Sequence, residues 1–156
     1  MKLLIVDDDI ALHRAMEKAL QVAKPLWHAT FSNNGENALS ILAAEPFDVL
    51  ITDMVMPIMD GPKLLTAVSR DYPTMLKVVM SGVHDSLTTY SITSCSHLFI
   101  EKPFSIEAFV NLVETALIEH NHEVKRTIAW REDEEARKLR LQERLKRLGV
   151  ADVYDK

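Results

Sequence analysis

Five polar side chains stand at the ends of short apolar runs. Asp7 and Asp8 follow residues 3–6, Asp53 follows 49–52, Ser81 follows 76–80, and Lys102 comes just after 97–100. If these runs are neighbouring strands of one sheet, all five side chains converge on one edge. Three carboxylates held ~5 Å apart repel by roughly 3 kcal/mol per pair at an effective dielectric of 20. A plain core has no need of that cost. A hard divalent cation relieves it, and an all-oxygen, water-rich site suits Mg²⁺, with Mn²⁺ as a substitute. A cation there also neutralises charge on an incoming phosphoryl group. Asp53 can then act as a carboxylate nucleophile and form an acyl phosphate. Lys102 and the Ser81 hydroxyl would hold two of the phosphoryl oxygens.

The elements that must position these groups follow from the texture of residues 1–120. Runs at 3–6, 49–52, 76–80 and 97–100 are mostly apolar without strict alternation, as in parallel strands buried on both faces. A weaker strand fits 27–31. Helical spacing separates them: Leu12, Met16, Ala19 and Leu20 share a face that Asp9 can cap. Segments 37–44, 62–70 and 106–119 repeat the pattern, the last with a stripe of Phe109, Leu112, Val113, Ala116 and Leu117. Segment 86–96, SLTTYSITSCS, is rich in poor helix formers and predicts a short, irregular helix. Five strands alternating with five helices imply an α/β fold with a doubly wound parallel sheet. Ligands in such sheets sit at the carboxyl ends of the strands.

Blander roles compete for some residues. Asp7, Asp8 and Asp9 alone could be a solvated strand end with a helix cap, but Asp53, Ser81 and Lys102 in register argue otherwise; Asp9 itself is read as the cap. Asp60 reads as a turn residue and not a ligand. His120 and His122 lie two apart, which on a helix points them in different directions. His13, His28, His84 and His97 have no ligand spacing, and Cys95 reads as a small packing residue.

The segments LLIVDDD, LITDMVMPIMDG, VVMSG and FIEKPF, in that order, resemble the four signatures of the receiver domain of two-component response regulators. The resemblance covers about residues 1–120 and implies a flavodoxin-like (βα)5 fold. It implies that Asp53 is the phosphorylated aspartate, and that Asp8, Asp53 and the Val55 carbonyl are direct metal ligands, with Asp7 a ligand through water. Ser81 stands at the switch hydroxyl and Lys102 at the invariant lysine, with the bond to Pro103 cis. Phe99 takes the place of the aromatic that turns inward on activation, and Gly61 fits the turn opening the third helix. Two departures matter. Val55 and Val83 are apolar where the family sets the hydrolytic water, which implies slow self-dephosphorylation. The stretch from Ser81 to Lys102 is about one residue shorter than in many relatives.

Residues 121–156 form a charged extension. Residues 1–120 hold eight Lys and Arg against fifteen Asp and Glu, whereas 121–156 hold ten against eight. From 121 to 148 there is no Pro or Gly, and Glu134–Lys138 and Glu143–Arg147 stand at helical i,i+4 spacing. This predicts a helix, continuing the preceding one and stopped by Gly149. Its leucines fall short of the three or four heptads a coiled coil needs. Three uses stay open: a helix for homodimer or partner contact, a solvated extension, or the start of a linker to an output domain.

Composition excludes little else. With 47% hydrophobic residues the chain can bury a core, and with one cysteine it forms no internal disulfide, in keeping with a reducing compartment. The N-terminus has neither signal peptide nor membrane span, so a cytoplasmic location is expected. A net charge of −5 and the lack of helix-turn-helix or zinc spacing argue against direct DNA binding. The resemblance thus implies a phospho-receiver, charged by a sensor histidine kinase or phosphotransfer protein. It would signal through the face made by segment 86–96 and the last helix. Its chemistry is self-directed, so no enzyme with turnover is expected. An aspartyl-phosphate phosphatase would need a second acid and a substrate cap, and neither is visible. The alternatives are a phosphorylation-independent docking module on the same scaffold, or a fragment of a larger regulator.

Overall fold

Strands that carry apolar residues on successive positions need cover on both faces, and here they receive it. In the computed structural model, which describes residues 1–82 and 98–147, five strands form one parallel sheet. They are β1 (Lys2–Val6), β2 (His28–Ser32), β3 (Val49–Asp53), β4 (Leu76–Ser81) and β5 (Leu98–Glu101), in the order β2-β1-β3-β4-β5. The helices are α1 (Ile10–Ala23), α2 (Gly35–Ala44), α3 (Gly61–Asp71) and α4 (Ile106–Arg147). Alternate residues of the central strands serve two cores. Leu3, Ile5, Val49, Ile51 and Val78 pack with Met16 and Leu20 of α1 and Phe109 of α4. Leu4, Val6, Leu50 and Val79 pack with Leu42 of α2 and Leu64 and Val68 of α3.

Strand β1 pairs with β2 on one side and with β3 on the other, so the order of the chain reverses there. The crevice at such a reversal opens at the carboxyl ends of the strands. The helix starts nearby are fixed by side-chain caps. Asp9 Oδ1 accepts from the Ala11 and Leu12 amides at 2.8 and 3.2 Å, and Asn34 Oδ1 from the Asn37 amide at 2.9 Å. Asp60 Oδ1 accepts from the Lys63 amide at 3.0 Å. Asp9 is thereby engaged as the cap expected of it, and Asp60, expected as a turn residue, caps α3.

The differences from the sequence reading are local. Strand β2 runs one residue later than 27–31, because the Trp27 amide closes a turn onto Lys24 O at 2.9 Å and the ladder begins with His28 on Met1 O. As an edge strand, half-exposed along most of its length, it has a weak apolar signal. Strand β5 extends to Glu101, one residue past the expected end; His97 lies outside the described residues. So do the segment 86–96, Val83, His84, Cys95, Leu148 and Gly149.

Helix α4 is unbroken over 42 residues, as the absence of Pro and Gly predicts. The chain divides into two compact units, Met1–Ile118 and Glu119–Lys156. Within the second, Asp133–Arg137 and Glu134–Lys138 form i,i+4 ion pairs at 3.1 and 3.2 Å. The expected Glu143–Arg147 pair is not among the ion pairs of the described residues. His120 is buried and His122 exposed, so the two do not share a face.

Gly61 is needed for a reason other than turn geometry. A Cβ there would lie 2.2 Å from the carbonyl oxygen of Asp53, so α3 starts hard against the backbone of β3. At Gly35 the atoms nearest to a Cβ all belong to the Met59 side chain, from 2.6 Å, which is flexible and can move. In urea unfolding, Gly61→Ala should cost about 3 kcal/mol or more, the upper end for overpacking. Gly35→Ala should cost clearly less, because the Met59 side chain can yield and alanine is the better helix former.

Candidate functional site

Sheet register alone brings the five predicted residues to one edge. Val6 pairs with Thr52, so Asp7 and Asp53 leave β1 and β3 at the same level. Asp53 pairs with Met80, and Ser81 with Glu101, which sets Ser81 and Lys102 beside them. The Lys102 amide donates to Ser81 O at 2.8 Å, tying the end of β5 to the end of β4. The peptide bond between Lys102 and Pro103 is cis.

Carboxylate oxygens of Asp7, Asp8 and Asp53 all lie within 4.8 Å of one another. Among the described residues this is the one cluster of three or more metal-type ligands. Asp7 is fully buried; its Oδ1 accepts from the Asp9 amide at 2.9 Å and its Oδ2 from Lys102 Nζ at 2.6 Å. Asp53 is also largely buried. Its Oδ1 accepts from Lys102 Nζ at 2.7 Å and its Oδ2 from the Val55 amide at 3.3 Å. Asp8 is exposed, and Asp9 is committed to its cap.

One ammonium thus serves two of three carboxylates, leaving a net excess of two negative charges. Burial pushes the Asp53 carboxyl above its ordinary pKa, and the charge of Asp7 adds to this. The Lys102 hydrogen bond and charge and the Val55 amide oppose the shift without cancelling it. For Lys102, burial works to lower the pKa, but the bonds to Asp53 and Asp7 and their charges prevail and hold it above the ordinary lysine value. The lysine stays charged. Desolvation thus leaves Asp53 a more basic carboxylate than an exposed one, and a more basic oxygen is the better nucleophile. An all-oxygen donor set with an uncompensated double charge fits Mg²⁺ or Mn²⁺.

The remaining predicted residues surround this cluster. Ser81 closes β4, half-buried, and its hydroxyl donates to Gly82 O at 3.2 Å. Val55 is 67% exposed on the loop after β3. Phe99, on β5, is 38% exposed and does not belong to either core. Two features escaped the sequence reading. Lys102 was expected to meet phosphoryl oxygens, whereas here it bridges two aspartates; sequence order cannot show which partner a lysine takes before any ligand arrives. Ile58 has φ 71°, a left-handed conformation that β-branched residues avoid. Nothing about an isoleucine announces it, since Gly or Asn would be the usual marker.

Comparison with known proteins agrees with this geometry. Residues 3–114 match the profile of the response regulator receiver domain. The response regulator receiver protein CpdR of Brucella abortus is 33% identical over 118 residues, covering 75% of this chain and 97% of that protein. The DNA-binding transcriptional regulator NtrC of Salmonella typhimurium is 36% identical over 115 residues, but the match spans 72% of this chain and only 24% of NtrC. Among solved structures, the signal receiver domain of an HD domain-containing protein from Pseudomonas fluorescens superposes with a TM-score of 0.72 at 23% identity. That match covers 80% of this chain and 92% of the other. A CheY-like receiver domain from Methanospirillum hungatei gives 0.70 at 23% identity, covering 78% and 97%. At such identities the structural matches speak for the fold, and the sequence matches over residues 3–114 speak for descent. The chain belongs to the response regulator receiver domain family.

Proposed function

We propose that the chain is a phosphorylation switch in which Asp53 accepts a phosphoryl group from a phosphohistidine on a sensor kinase or phosphotransfer protein. The observation that supports it most is the cluster itself: three carboxylates within 4.8 Å, two of them bridged by Lys102 at 2.6 and 2.7 Å. An Asp53 oxygen attacks phosphorus, the P–N bond to the donor imidazole breaks, and the imidazole keeps the electron pair and takes a proton from solvent. Mg²⁺ held by Asp8, Asp53 and the Val55 carbonyl, with Asp7 through water, would offset charge on the incoming group.

The protein's own groups do the rest. Once Asp53 carries a phosphoryl group, the oxygens beyond the acyl link need donors. Lys102 is already at Asp53, and the Ser81 hydroxyl lies at the end of the adjoining strand. Its present bond to Gly82 O is long for O–H···O, so exchanging it for a charged oxygen is favourable. That exchange draws the end of β4 inward, and Phe99 follows on the neighbouring strand. The output is a changed affinity for a partner, read on the β4–β5 side and through residues 119–147. There Ile128, Trp130, Leu139 and Leu141 are exposed and available to a second copy of the chain. The chemistry is self-directed, without turnover of a separate substrate. No helix among the described residues is long and apolar enough to cross a membrane, which fits a cytoplasmic switch.

Incubation with phosphoramidate and Mg²⁺ should add one phosphoryl group to the intact mass, lost entirely in Asp53→Asn. Lys102→Ala should slow labelling about 10²-fold or more, as when a preorganised charge partner of a transition state is removed. Unchanged labelling of Asp53→Asn would sink the assignment.

Metal removal gives an independent check. A carboxyl whose folded pKa is raised adds stability below its unfolded pKa, and that stability is lost as pH rises through the folded value. At neutral pH without metal, the Asp53 charge therefore weighs against the fold. Mg²⁺ should raise the melting midpoint of the wild type at pH 7 and have little effect on Asp8→Asn. Metal-free Asp53→Asn should melt above the wild type at pH 7, with the gap closing in acid.

Val55 leaves an apolar side chain beside the acyl phosphate. The phosphorylated form should persist for minutes or longer, measured by loss of phosphoryl mass after donor removal. Val55→Asn should shorten that lifetime several-fold, and a wild-type half-life of seconds would refute the idea.

A further inference from the structure

The loop from Asp53 to Gly61 contains a strained turn whose cost the free chain does not recover. The Met59 amide donates to Pro57 O at 2.8 Å across Ile58, whose φ is 71°. A hydrogen bond spanning one residue at that φ is a γ-turn of the rare, strained kind. Gly and Asn tolerate such a backbone; a β-branched side chain does not. The side chain of Ile58 gains nothing from burial either, being 71% exposed and outside both cores. In the free protein this residue is therefore unfavourable on two counts, backbone strain and exposed apolar surface.

The turn is also held firmly. The Gly35 amide donates to Met59 O at 3.3 Å, and the Gly61 amide to Met54 O at 3.1 Å. The backbone of Gly61 is pressed against the carbonyl of Asp53. Three residues span at most about 11 Å, so Ile58 lies within that reach of Gly61, whose backbone abuts that of Asp53. Two other exposed apolar side chains stand close to the acidic cluster along the chain: Ile10, two residues after Asp8 and 58% exposed, and Val55, two after Asp53 and 67% exposed.

Strain kept at a functional site points to a state in which it is compensated. Building on the phospho-receiver reading above, we propose that Ile58 is a specificity-determining residue for the protein phosphodonor. The γ-turn aims its side chain at an apolar surface bordering the donor's phosphohistidine, where burial in the complex offsets the strain. Small phosphodonors lack that surface and are indifferent to it.

The test uses the full chain with Ile58→Gly, Ile58→Asn and Ile58→Val. Each is labelled with phosphoramidate, and with the purified, autophosphorylated histidine-kinase core that labels the wild type fastest in a panel. Glycine and asparagine variants should melt higher than the wild type and take phosphoryl groups from phosphoramidate at the wild-type rate. Their kcat/KM with the kinase core should fall about tenfold, carried by KM, as expected for loss of a buried apolar contact. Valine should remain within about threefold of wild type. A raised melting midpoint with unchanged kinase transfer would overturn the proposal, as would equal loss with both donors, which would mean that the turn shapes the site itself. A lowered midpoint would show that Ile58 stabilises the free chain and would also overturn it. Failure of the wild type to accept from phosphoramidate and from every kinase core would instead bring down the receiver reading on which it rests.

Discussion

Like-charge crowding at the end of β1 and β3 is the constraint around which the molecule is arranged. Parallel pairing of these strands forces Asp7 and Asp53 to the same level, and Asp8 follows directly in the chain. Among the described residues the cation that relieves the repulsion is Lys102, which arrives from the far side of β4 and bonds to both buried aspartates. The fold is therefore closed electrostatically by its last strand. One cation against three anions holds the cluster together yet leaves it under-neutralised, the condition in which a further positive charge binds and an electrophilic phosphorus is attacked.

Much of this could be read from sequence because burial on both faces gives parallel strands an unmistakable texture. A run such as Leu3 to Val6 admits no polar residue until the sheet ends, so the first polar residue marks the mouth of the crevice. The site residues were legible as the punctuation of those runs. The role of Asp9 was legible too, since a cap must precede its helix. Strand β2 was harder to bound: at the edge, with His28 exposed and Ala29, Thr30 and Phe31 half-covered, its pattern blurs by one residue.

What could not be read depends on distances between segments far apart in sequence. Gly61 looked like a turn glycine, but its purpose is the closeness of Asp53 O, a contact that exists only after α3 has docked. The partners of Lys102 depend on which oxygens are nearby before any ligand comes. The γ-turn at Ile58 was silent because its residue contradicts its backbone: turn chemistry is legible only where the amino acid agrees with the conformation.

The contact between Gly61 and the Asp53 carbonyl has a mechanical side as well. With the start of α3 packed directly against it, the backbone of Asp53 has little room to shift toward that helix. The cores on both faces of β3 brace it from the sides. Were Asp53 to gain a phosphoryl group as proposed, the ends of β4 and β5, where Ser81 is half-buried and Phe99 exposed, would offer less resistance to displacement. The arrangement resembles an anvil, with a close-packed base beneath the aspartate and more open strand ends beside it.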